Sequence, residues 1–343
     1  MIKKITYTSM IAVIVIAVNG CSVNNEPRMR LGSYPTSTPG TNFMGVNNLG
    51  NHSYYFPSFE NNGIVYTCRG GHIDIAHLRI AADHVKYLYG KTKRHLLKND
   101  IEFTFKLNVE RSRYFVQLKY PDNWGEISKE GKEEIANEIA LELGQYFAYS
   151  MTMWHEVLTW FGFKTMVVFS EFPSSFSWED SYSNLLGTIV GAEALQDRQH
   201  NFNEAMTIAL KKELKELQIQ LPQTARAASE KMRGKWFNGN LFMDLRIRNT
   251  NLGLDDGYVT PILVPGICED AEPQLYPVPR YDTLSKYGFS MKFEIEPREM
   301  EKGKILKIVY PNNDGKRIQP SIHYPLIIDY IKEDVIKKGF KPI

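Results

Sequence analysis

The sequence predicts an α+β protein with a helical central core, a flanking β-hairpin and a β-rich C-terminal part. Helical periodicity of apolar residues dominates residues 128–233, a pair of alternating stretches precedes them, and most strand-like stretches follow residue 236. This segregation of helices and strands favours α+β over a regular βαβ succession. The 343 residues are enough to bury a sizeable core.

The N-terminal third of the domain is predicted to mix strands and one helix. Residues 64–67 form a strand candidate that ends before Gly70-Gly71. Apolar spacing predicts an amphipathic helix over residues 73–89. Alternation over 102–109 and again over 114–120, across a charged turn, predicts the β-hairpin.

The helical middle, 128–233, begins with the longest predicted helix, residues 128–162. Its second half is apolar nearly all round, which indicates a central, buried helix. Residues 164–169 are a strand candidate, and two further helices are predicted at 203–218 and 222–233.

Another helix is predicted over residues 177–197, where Ser177 and Asp180 resemble a capping box. Its small residues Gly187 and Gly191 favour close helix contact. In the β-rich tail, 236–343, the predicted elements are strand pairs at 241–247 with 258–264 and at 289–295 with 305–309, then a helix at 324–338.

The first 21 residues have the features of a lipoprotein signal peptide. Lys3 and Lys4 precede a mostly apolar run that is too short to span a bilayer. The run ends in Val18-Asn19-Gly20-Cys21, which resembles the lipobox of bacterial lipoproteins, although Asn19 stands where a small residue is usual. The resemblance implies that Cys21 is lipidated, here with palmitate among its acyl chains, and becomes the mature N-terminus; the open alternative is an ordinary secretory peptide.

The lipobox predicts a location in the envelope of a Gram-negative bacterium. Ser22 after the cysteine implies sorting to the outer membrane, facing the periplasm, so the predicted partner is the lipid bilayer. Removal of the two signal-peptide lysines leaves 39 basic and 39 acidic residues. A neutral chain lacks the basic surface that nucleic acid requires, so no nucleic-acid partner is expected.

The domain organisation follows from composition. Residues 22–63 are rich in Pro, Gly, Ser, Thr and Asn, which indicates a tether leading into an irregular, aromatic-bearing cover segment, and 64–343 is predicted to be a single domain. Cys68 and Cys268 are a disulfide candidate in an oxidising periplasm. Two free buried thiols, or Cys68 as a nucleophile, are the alternatives.

A first candidate site lies in Gly70-Gly71-His72-Ile73-Asp74-Ile75-Ala76-His77. Asp74 and His77 are three residues apart, so they share a face of the predicted helix and could ligate a metal or form a His–Asp pair. A structural interpretation is a capping Asp74 beside a half-exposed His77. An anion site at Arg69-Gly70-Gly71 is a third interpretation.

A second candidate lies on the long helix. His155-Glu156 matches the start of the zinc-protease motif, but Thr159 stands where the second histidine would be. A polar strip that includes Glu142, Tyr149 and Glu156 runs along this otherwise apolar helix. Buried carboxylates need a partner, so the strip indicates a functional cleft, a buried hydrogen-bond network or a solvent-facing edge.

A third candidate is Ser175-Phe176-Ser177-Trp178-Glu179-Asp180. It is either a well-capped helix start or a second set of carboxylates, Glu179 and Asp180, at the mouth of the same cleft. No Gly-x-Ser-x-Gly elbow, dinucleotide fingerprint or Walker loop occurs in the sequence.

Together with the lipobox, these motifs resemble a family of uncharacterised bacterial lipoproteins, a domain of unknown function. The resemblance covers residues 27–340 and implies no established activity.

We therefore expect a cell-envelope lipoprotein. The leading hypothesis for its function is a metal-dependent or acid–base hydrolytic site. Glu156 and His155 are the catalytic candidates; Asp74, His77 and Glu156 are candidate ligands of a divalent metal such as zinc. Glu142, Tyr149, Glu179 and Asp180 are expected nearby. The alternative is a non-catalytic envelope lipoprotein that binds a partner or ligand.

Overall fold

The computed structural model describes residues 26–55, 59–107, 109–165, 169–239 and 244–343. The segment 1–21, including Cys21, lies outside the described residues. No described helix combines the length and apolar character needed to cross a bilayer.

The described elements confirm the α+β class. The helices are α1 Ile75–Leu97, α2 Lys129–Trp160, α3 Asp180–Gln196, α4 Phe202–Glu216, α5 Pro222–Met232, α6 Thr283–Lys286, α7 Lys302–Val309 and α8 Pro320–Lys337, with 3-10 turns at Val46–Asn48 and Asp122–Glu126. The strands are β1 Ile64–Thr67, β2 Gly71–Asp74, β3 Glu102–Phe105, β4 Arg113–Lys119, β5 Lys164–Thr165, β6 Phe169–Ser170, β7 Ile247–Arg248, β8 Tyr258–Val259, β9 Tyr276–Pro277, β10 Ser290–Glu296 and β11 Lys341–Pro342.

The core is built around α1, which packs against both α2 and α3. A Cβ atom on Gly187 would lie 2.2 Å from the carbonyl oxygen of Leu78, and one on Gly191 would lie 2.7 Å from Cα of Ala82. The small-residue face of α3 therefore lets the two backbones touch, as the sequence predicted. This close contact brings the N-termini of α1 and α3 together.

The hairpin β3–β4 is confirmed and gains a third strand from the tail. β10 pairs antiparallel with β4, with Phe293 opposite Val116, so the sheet order is β10-β4-β3. The expected pairing of 289–295 with 305–309 is wrong, because 305–309 belongs to α7. Its apolar residues face the core at helical spacing, with Ile305 fully buried.

The other expected pair of tail strands is also wrong. β7 pairs with β11 in parallel at the C-terminus, and β8 pairs with β9. Residues 241–243 of the predicted strand 241–247 lie outside the described residues. Short strands of two residues carry too little periodicity to reveal their partners.

The predicted helix 73–89 begins later and ends later than expected. Residues 71–74 form β2, antiparallel to β1, and α1 begins at Ile75. Asp74 is the N-cap of α1, since its Oδ1 accepts a hydrogen bond from the Ala76 N–H at 2.7 Å. The tight turn between the strands requires Gly71, whose φ is +67° and whose Cβ would lie 2.3 Å from the Ile262 carbonyl oxygen.

The described part of the predicted tether and cover segment, residues 26–55, is packed onto the domain. Arg30 is buried and pairs with Asp83 of α1, and the Pro35 carbonyl accepts a hydrogen bond from Ser229 of α5. This stretch acts as a cover from Glu26 onward rather than as a free tether. We call residues 26–38 the N-terminal strap.

A disulfide joins Cys68 and Cys268 across a sequence separation of 200 residues. Their Cα atoms are 5.3 Å apart, inside the range that a disulfide requires. The bond ties the loop after β1 to the tail.

Candidate functional site

Three charged side chains meet where α1 and α3 begin. Nδ1 of His77 lies 3.4 Å from Oδ2 of Asp74 and 3.1 Å from Oδ1 of Asp180. Both carboxylates are buried, whereas the His77 side chain keeps 24% of its exposure. The second carboxylate reaches His77 because α3 packs closely on α1.

Two further carboxylates complete what we call the acid cluster: Asp74, His77, Glu156, Glu179 and Asp180. Oε2 of Glu156 on α2 accepts a hydrogen bond from the Phe176 N–H at 2.8 Å. Phe176 adopts φ +53°, an uncommon conformation for a bulky residue, and this turns its N–H toward the cluster. Oε2 of Glu179 accepts from the Ser177 hydroxyl.

Carboxylates outnumber basic groups in the cluster. Burial and the repulsion between carboxylates therefore raise carboxyl pKa values, and the attraction to carboxylates raises the pKa of His77. Burial and the nearby Asp180 raise the pKa of Glu156 to about 7. Burial, again with Asp180, raises the pKa of Glu179 well above its usual range. Burial also raises the pKa of Asp74, although His77 and two backbone N–H groups oppose it. Burial by itself would lower the pKa of His77, but Asp74 and Asp180 outweigh it and raise that pKa to about 10.

The cluster can therefore hold and move a proton at neutral pH. His77 is an imidazolium, and Glu156, with a pKa of about 7, exists in both protonation states. Paired groups with separated pKa values are the usual arrangement of acid–base sites.

The N-terminal strap crosses the exposed side of the cluster. The Ser33 N–H donates to Oδ2 of Asp74 at 2.6 Å, and a Cβ on Gly32 would lie 2.8 Å from Nε2 of His77. Tyr34 is half exposed, and burial together with Glu171, Asp180 and Asp74 raises the pKa of its phenol. Sequence reasoning missed these residues, because nothing in an irregular Pro/Gly-rich stretch shows where it docks.

His155 lies between two further carboxylates, Glu110 and Glu171, beside the acid cluster. Its Nδ1 is 3.0 Å from Oε1 of Glu110, and its Nε2 is 3.0 Å from Oε2 of Glu171. Burial would lower the pKa of His155, but the hydrogen bonds to Glu110 and Glu171 raise it well above its usual range. Its positive charge in turn opposes the rise in the pKa of Glu156.

Comparison with protein families gives one match. Residues 38–245, more than half of the chain, match the model of DUF4056, described as a protein of unknown function. The chain belongs to the DUF4056 family. No curated protein and no solved structure matches it.

The matched region of this DUF4056 chain contains the whole acid cluster, from Asp74 to Asp180. The strap residues Gly32, Ser33 and Tyr34, which cover the cluster, precede the matched region. Arg248 follows it.

Arg248 is a buried cation that the sequence analysis did not select. Burial lowers its pKa to about 10, while Asp180 and Glu156 oppose that change. Its guanidinium lies 4.6 Å from the ring centre of Phe340 and donates to the Ser175 carbonyl. Arg248 thus fixes the turn before α3 and adds positive potential behind the cluster.

Two residues expected near the site lie elsewhere. Glu142 precedes Glu156 by fourteen residues on α2, roughly 21 Å along a helix, and it accepts a hydrogen bond from the Thr283 N–H at 2.8 Å. The Tyr149 hydroxyl donates to the Leu252 carbonyl at 3.1 Å. Helical spacing correctly placed them on one strip, but the strip is longer than the site.

The proposed metal ligands do not form a metal centre in this structure. Within the described ranges, no group of three or more His, Cys, Asp or Glu side chains has an arrangement that could hold a metal ion. Asp74 and His77 do meet, but Nδ1 of His77 faces carboxylates at ion-pair distances. Two buried carboxylates at that distance stabilise the imidazolium form of His77.

Proposed function

We propose that this DUF4056 protein is a cell-envelope lipoprotein with an acid–base hydrolytic site at the acid cluster. The observation that carries the proposal is the convergence of Asp74, His77, Glu156 and Asp180 from three separate helix regions. Glu156 titrates near neutral pH, and His77 is its partly exposed cationic neighbour.

In the proposed reaction, the Glu156 carboxylate takes a proton from water as the water oxygen bonds to the electrophilic carbon of the substrate. The His77 imidazolium donates its proton to the leaving group as the scissile bond breaks, with Asp74 and Asp180 orienting the ring. The proton held by Glu156 then returns to His77 through water, so the site is restored. The excess of carboxylates favours a neutral or cationic ester, amide or glycoside as substrate.

The test compares Glu156→Gln and His77→Ala with Glu142→Gln on a panel of neutral ester, amide and glycoside substrates and isolated envelope glycan. Glu142 is a matched control, because it is a hydrogen-bonded carboxylate on the same helix outside the cluster. Loss of a proton-transfer group should lower kcat by about 100-fold or more, whereas Glu142→Gln should keep the rate. Thermal melts check folding. No hydrolysis of any substrate, or an active Glu156→Gln variant, would overturn the proposal.

We propose that the protein is anchored by lipidated Cys21 in the outer membrane and faces the periplasm. The lipobox and the Cys68–Cys268 disulfide, which suits an oxidising compartment, support this location. Glu26, where the packed strap begins, follows Cys21 by five positions along the chain, a span of at most roughly 18 Å. The domain would therefore lie close to the bilayer surface, and the bilayer is its proposed partner, with no nucleic acid.

Metabolic labelling with a fatty acid tests the anchor. Wild-type protein should incorporate the label, and Cys21→Ser should not, because only a thiol accepts the diacylglyceryl group. Label retained by Cys21→Ser would contradict the lipoprotein assignment while leaving the hydrolytic site to its own test.

A further inference from the structure

The C-terminal half of α1 carries a row of basic side chains close to the point where the N-terminal strap begins. Lys91 and Arg94 on the helix and its C-cap residue Lys98 follow one another at intervals of three and four residues, so they share one face. Lys106 comes directly after β3 and belongs to the same surface, because it and Lys91 both lie near Glu26. We call Lys91, Arg94, Lys98 and Lys106 the basic stripe.

Glu26, the first residue of the strap, lies against the basic stripe. Burial raises the pKa of Glu26, and the charges of Lys106 and Lys91 oppose that rise. Burial and Glu26 raise the pKa of Tyr87 to about 12, and the Lys91 ammonium is 5.6 Å from the centre of the Tyr87 ring. Because Glu26 follows Cys21 by five positions, a lipid on Cys21 would hold this surface within roughly 18 Å of the bilayer.

Three charges of the basic stripe are available to an external partner. Arg94, Lys98 and Lys106 are exposed, and no carboxylate of the described residues forms an ion pair with any of them. Lys93, which lies on a neighbouring face of α1, instead pairs with Glu133 at 2.6 Å. Like charges gathered on one face favour a partner with negative charge, because that partner relieves their mutual repulsion.

Two apolar side chains are exposed at the same end of α1. Leu97 directly precedes Lys98 and is 37% exposed, and Ile101 follows three residues later and is 70% exposed. A membrane surface offers phosphate groups to basic side chains and an apolar layer to leucine and isoleucine, whereas a soluble acidic polymer offers charge alone. The combination of exposed basic and apolar side chains therefore favours a lipid surface.

We propose that the basic stripe, with Leu97 and Ile101 beside it, binds the anionic phospholipid headgroups of the leaflet that holds the Cys21 anchor. The inference rests on the proposed lipid anchor and adds the face that the domain turns toward the bilayer. An acyl anchor combined with a polybasic contact is a usual route to stable membrane attachment. His77 precedes Lys98 by about 30 Å along α1, so this orientation leaves the acid cluster uncovered.

Co-sedimentation with lipid vesicles tests the surface without the anchor, using the mature chain with Cys21→Ser. It should bind vesicles of equal parts phosphatidylcholine and phosphatidylglycerol, and high salt should release it because salt screens the attraction. Each basic side chain strengthens such binding about fivefold, so Arg94→Gln, Lys98→Gln and Lys106→Gln combined should weaken it by about 100-fold. No binding to these vesicles, or equal binding to vesicles of phosphatidylcholine alone, would overturn the proposal.

The matched control removes the same number of charges from α7, by combining Lys302→Gln, Lys304→Gln and Lys307→Gln. These lysines are exposed, and Lys304 donates to the Phe161 carbonyl at the C-terminal end of α2. The basic stripe lies toward the other end of α2, where Glu133 contacts α1. The control should bind the mixed vesicles like wild type, and thermal melts check that both triple variants fold. An equal loss of binding in the control would show that net charge alone is responsible and would overturn the assignment.

Ile101→Ser separates a lipid surface from a soluble acidic polymer. It should weaken binding to the mixed vesicles by about tenfold and leave binding to immobilised polyglutamate unchanged, because only the vesicle has an apolar layer. Met300→Ser is the control, since Met300 is 81% exposed beside α7. Unchanged vesicle affinity in Ile101→Ser would replace the lipid surface with an acidic polymer as the partner. Fatty-acid labelling tests the anchor separately, so the anchor and the docking face can each fail alone.

Discussion

Two buried charged networks lie along the first half of α1, one at its N-terminus and one around Asp83. Residues of the N-terminal strap bind to both. In the acid cluster, Ser33 of the strap donates to Asp74. About two and a half helical turns later, Arg30 of the strap pairs with Asp83 at 2.6 Å. The two networks have similar burial but opposite charge balance.

In the second network, which we call the arginine network, Arg28, Arg30 and Arg79 surround Asp83 and Glu60, with His52 also 2.9 Å from Asp83. Burial would raise the pKa of Asp83, but Arg30 and His52 outweigh it and hold that pKa at about 2. In the acid cluster, no Lys or Arg in the described structure forms an ion pair with Glu156 or Glu179, and both pKa values rise.

The comparison teaches how to separate a structural network from a functional one. A carboxylate whose pKa falls on folding stabilises the protein at neutral pH, whereas one whose pKa rises has a cost that folding must offset elsewhere. Stored electrostatic energy of that kind is typical of functional sites.

The largest expected effect is in the arginine network. Asp83→Asn removes one of the two carboxylates that pair with the buried Arg30 and leaves Glu60 to balance three arginines, so the free energy of unfolding should fall by about 3–5 kcal/mol. Urea unfolding followed by circular dichroism measures it. Asp197→Asn is the control, because Asp197 also pairs with a histidine, His200, but at the surface, where such pairs contribute about 0–1 kcal/mol. Equal losses of unfolding free energy in Asp83→Asn and Asp197→Asn would contradict the prediction that the buried pair contributes more than the exposed one.

In the acid cluster, by contrast, Glu156→Gln should leave the free energy of unfolding unchanged or raise it by about 1–2 kcal/mol. The amide oxygen can still accept the Phe176 N–H, and the repulsion with Asp180 disappears. The same urea experiment applies. A loss as large as that of Asp83→Asn would show that Glu156 is a structural group.

The pH dependence of stability should separate the networks. The pKa of Glu156 rises from 4.5 to about 7 on folding, so the native state binds more protons than the unfolded state between those values. Its stability contribution is therefore lost as pH rises through this window, by roughly 1–3 kcal/mol. The pKa of His77 rises from 6.5 to about 10 on folding, so its contribution to stability is also lost as pH rises above 6.5. The pKa of Asp83 falls from 3.8 to about 2, so its contribution to stability is lost only as pH falls through that range.

Unfolding free energies measured from pH 4.5 to 7 check this slope. The wild-type value should decrease with rising pH, and the curve of Glu156→Gln should be flatter. Parallel curves for the two proteins would contradict the raised pKa of Glu156.

The smallest effect is expected from Gly32→Ala. The added methyl would approach Nε2 of His77 to 2.8 Å, so the ring or the strap must move. Stability should fall by less than about 1 kcal/mol. The pKa of His77, followed by NMR, should move from about 10 toward 6.5 as its contacts with Asp74 and Asp180 loosen. Gly90→Ala on α1 is the control, since nothing lies within 4 Å of its Cβ position; an unchanged His77 pKa in Gly32→Ala would show that the strap does not set it.

Local patterns in the sequence were enough to find the long elements, but they placed the start of α1 two residues too early and the start of α3 three residues too early. The buried character of α2, the hairpin β3–β4 and the small-residue face of α3 follow from periods of 3.6 and 2 residues, which do not depend on distant contacts. The pairing of Asp74 with His77 also follows from spacing, because both lie in one turn of chain.

Only the tertiary structure decided which other charged groups lie beside Asp74 and His77. Asp180 follows His77 by about one hundred residues, and it reaches that ring only because Gly187 and Gly191 let α3 touch α1. The sequence also did not predict the strap over His77 or the pairing of β10 with β4. In both cases the contacting residues are far apart in the chain, so no local periodicity reveals the contact. The sequence determined the carboxylates and imidazoles available to this protein; close packing determined which of them share a buried site and therefore which titrate near neutral pH.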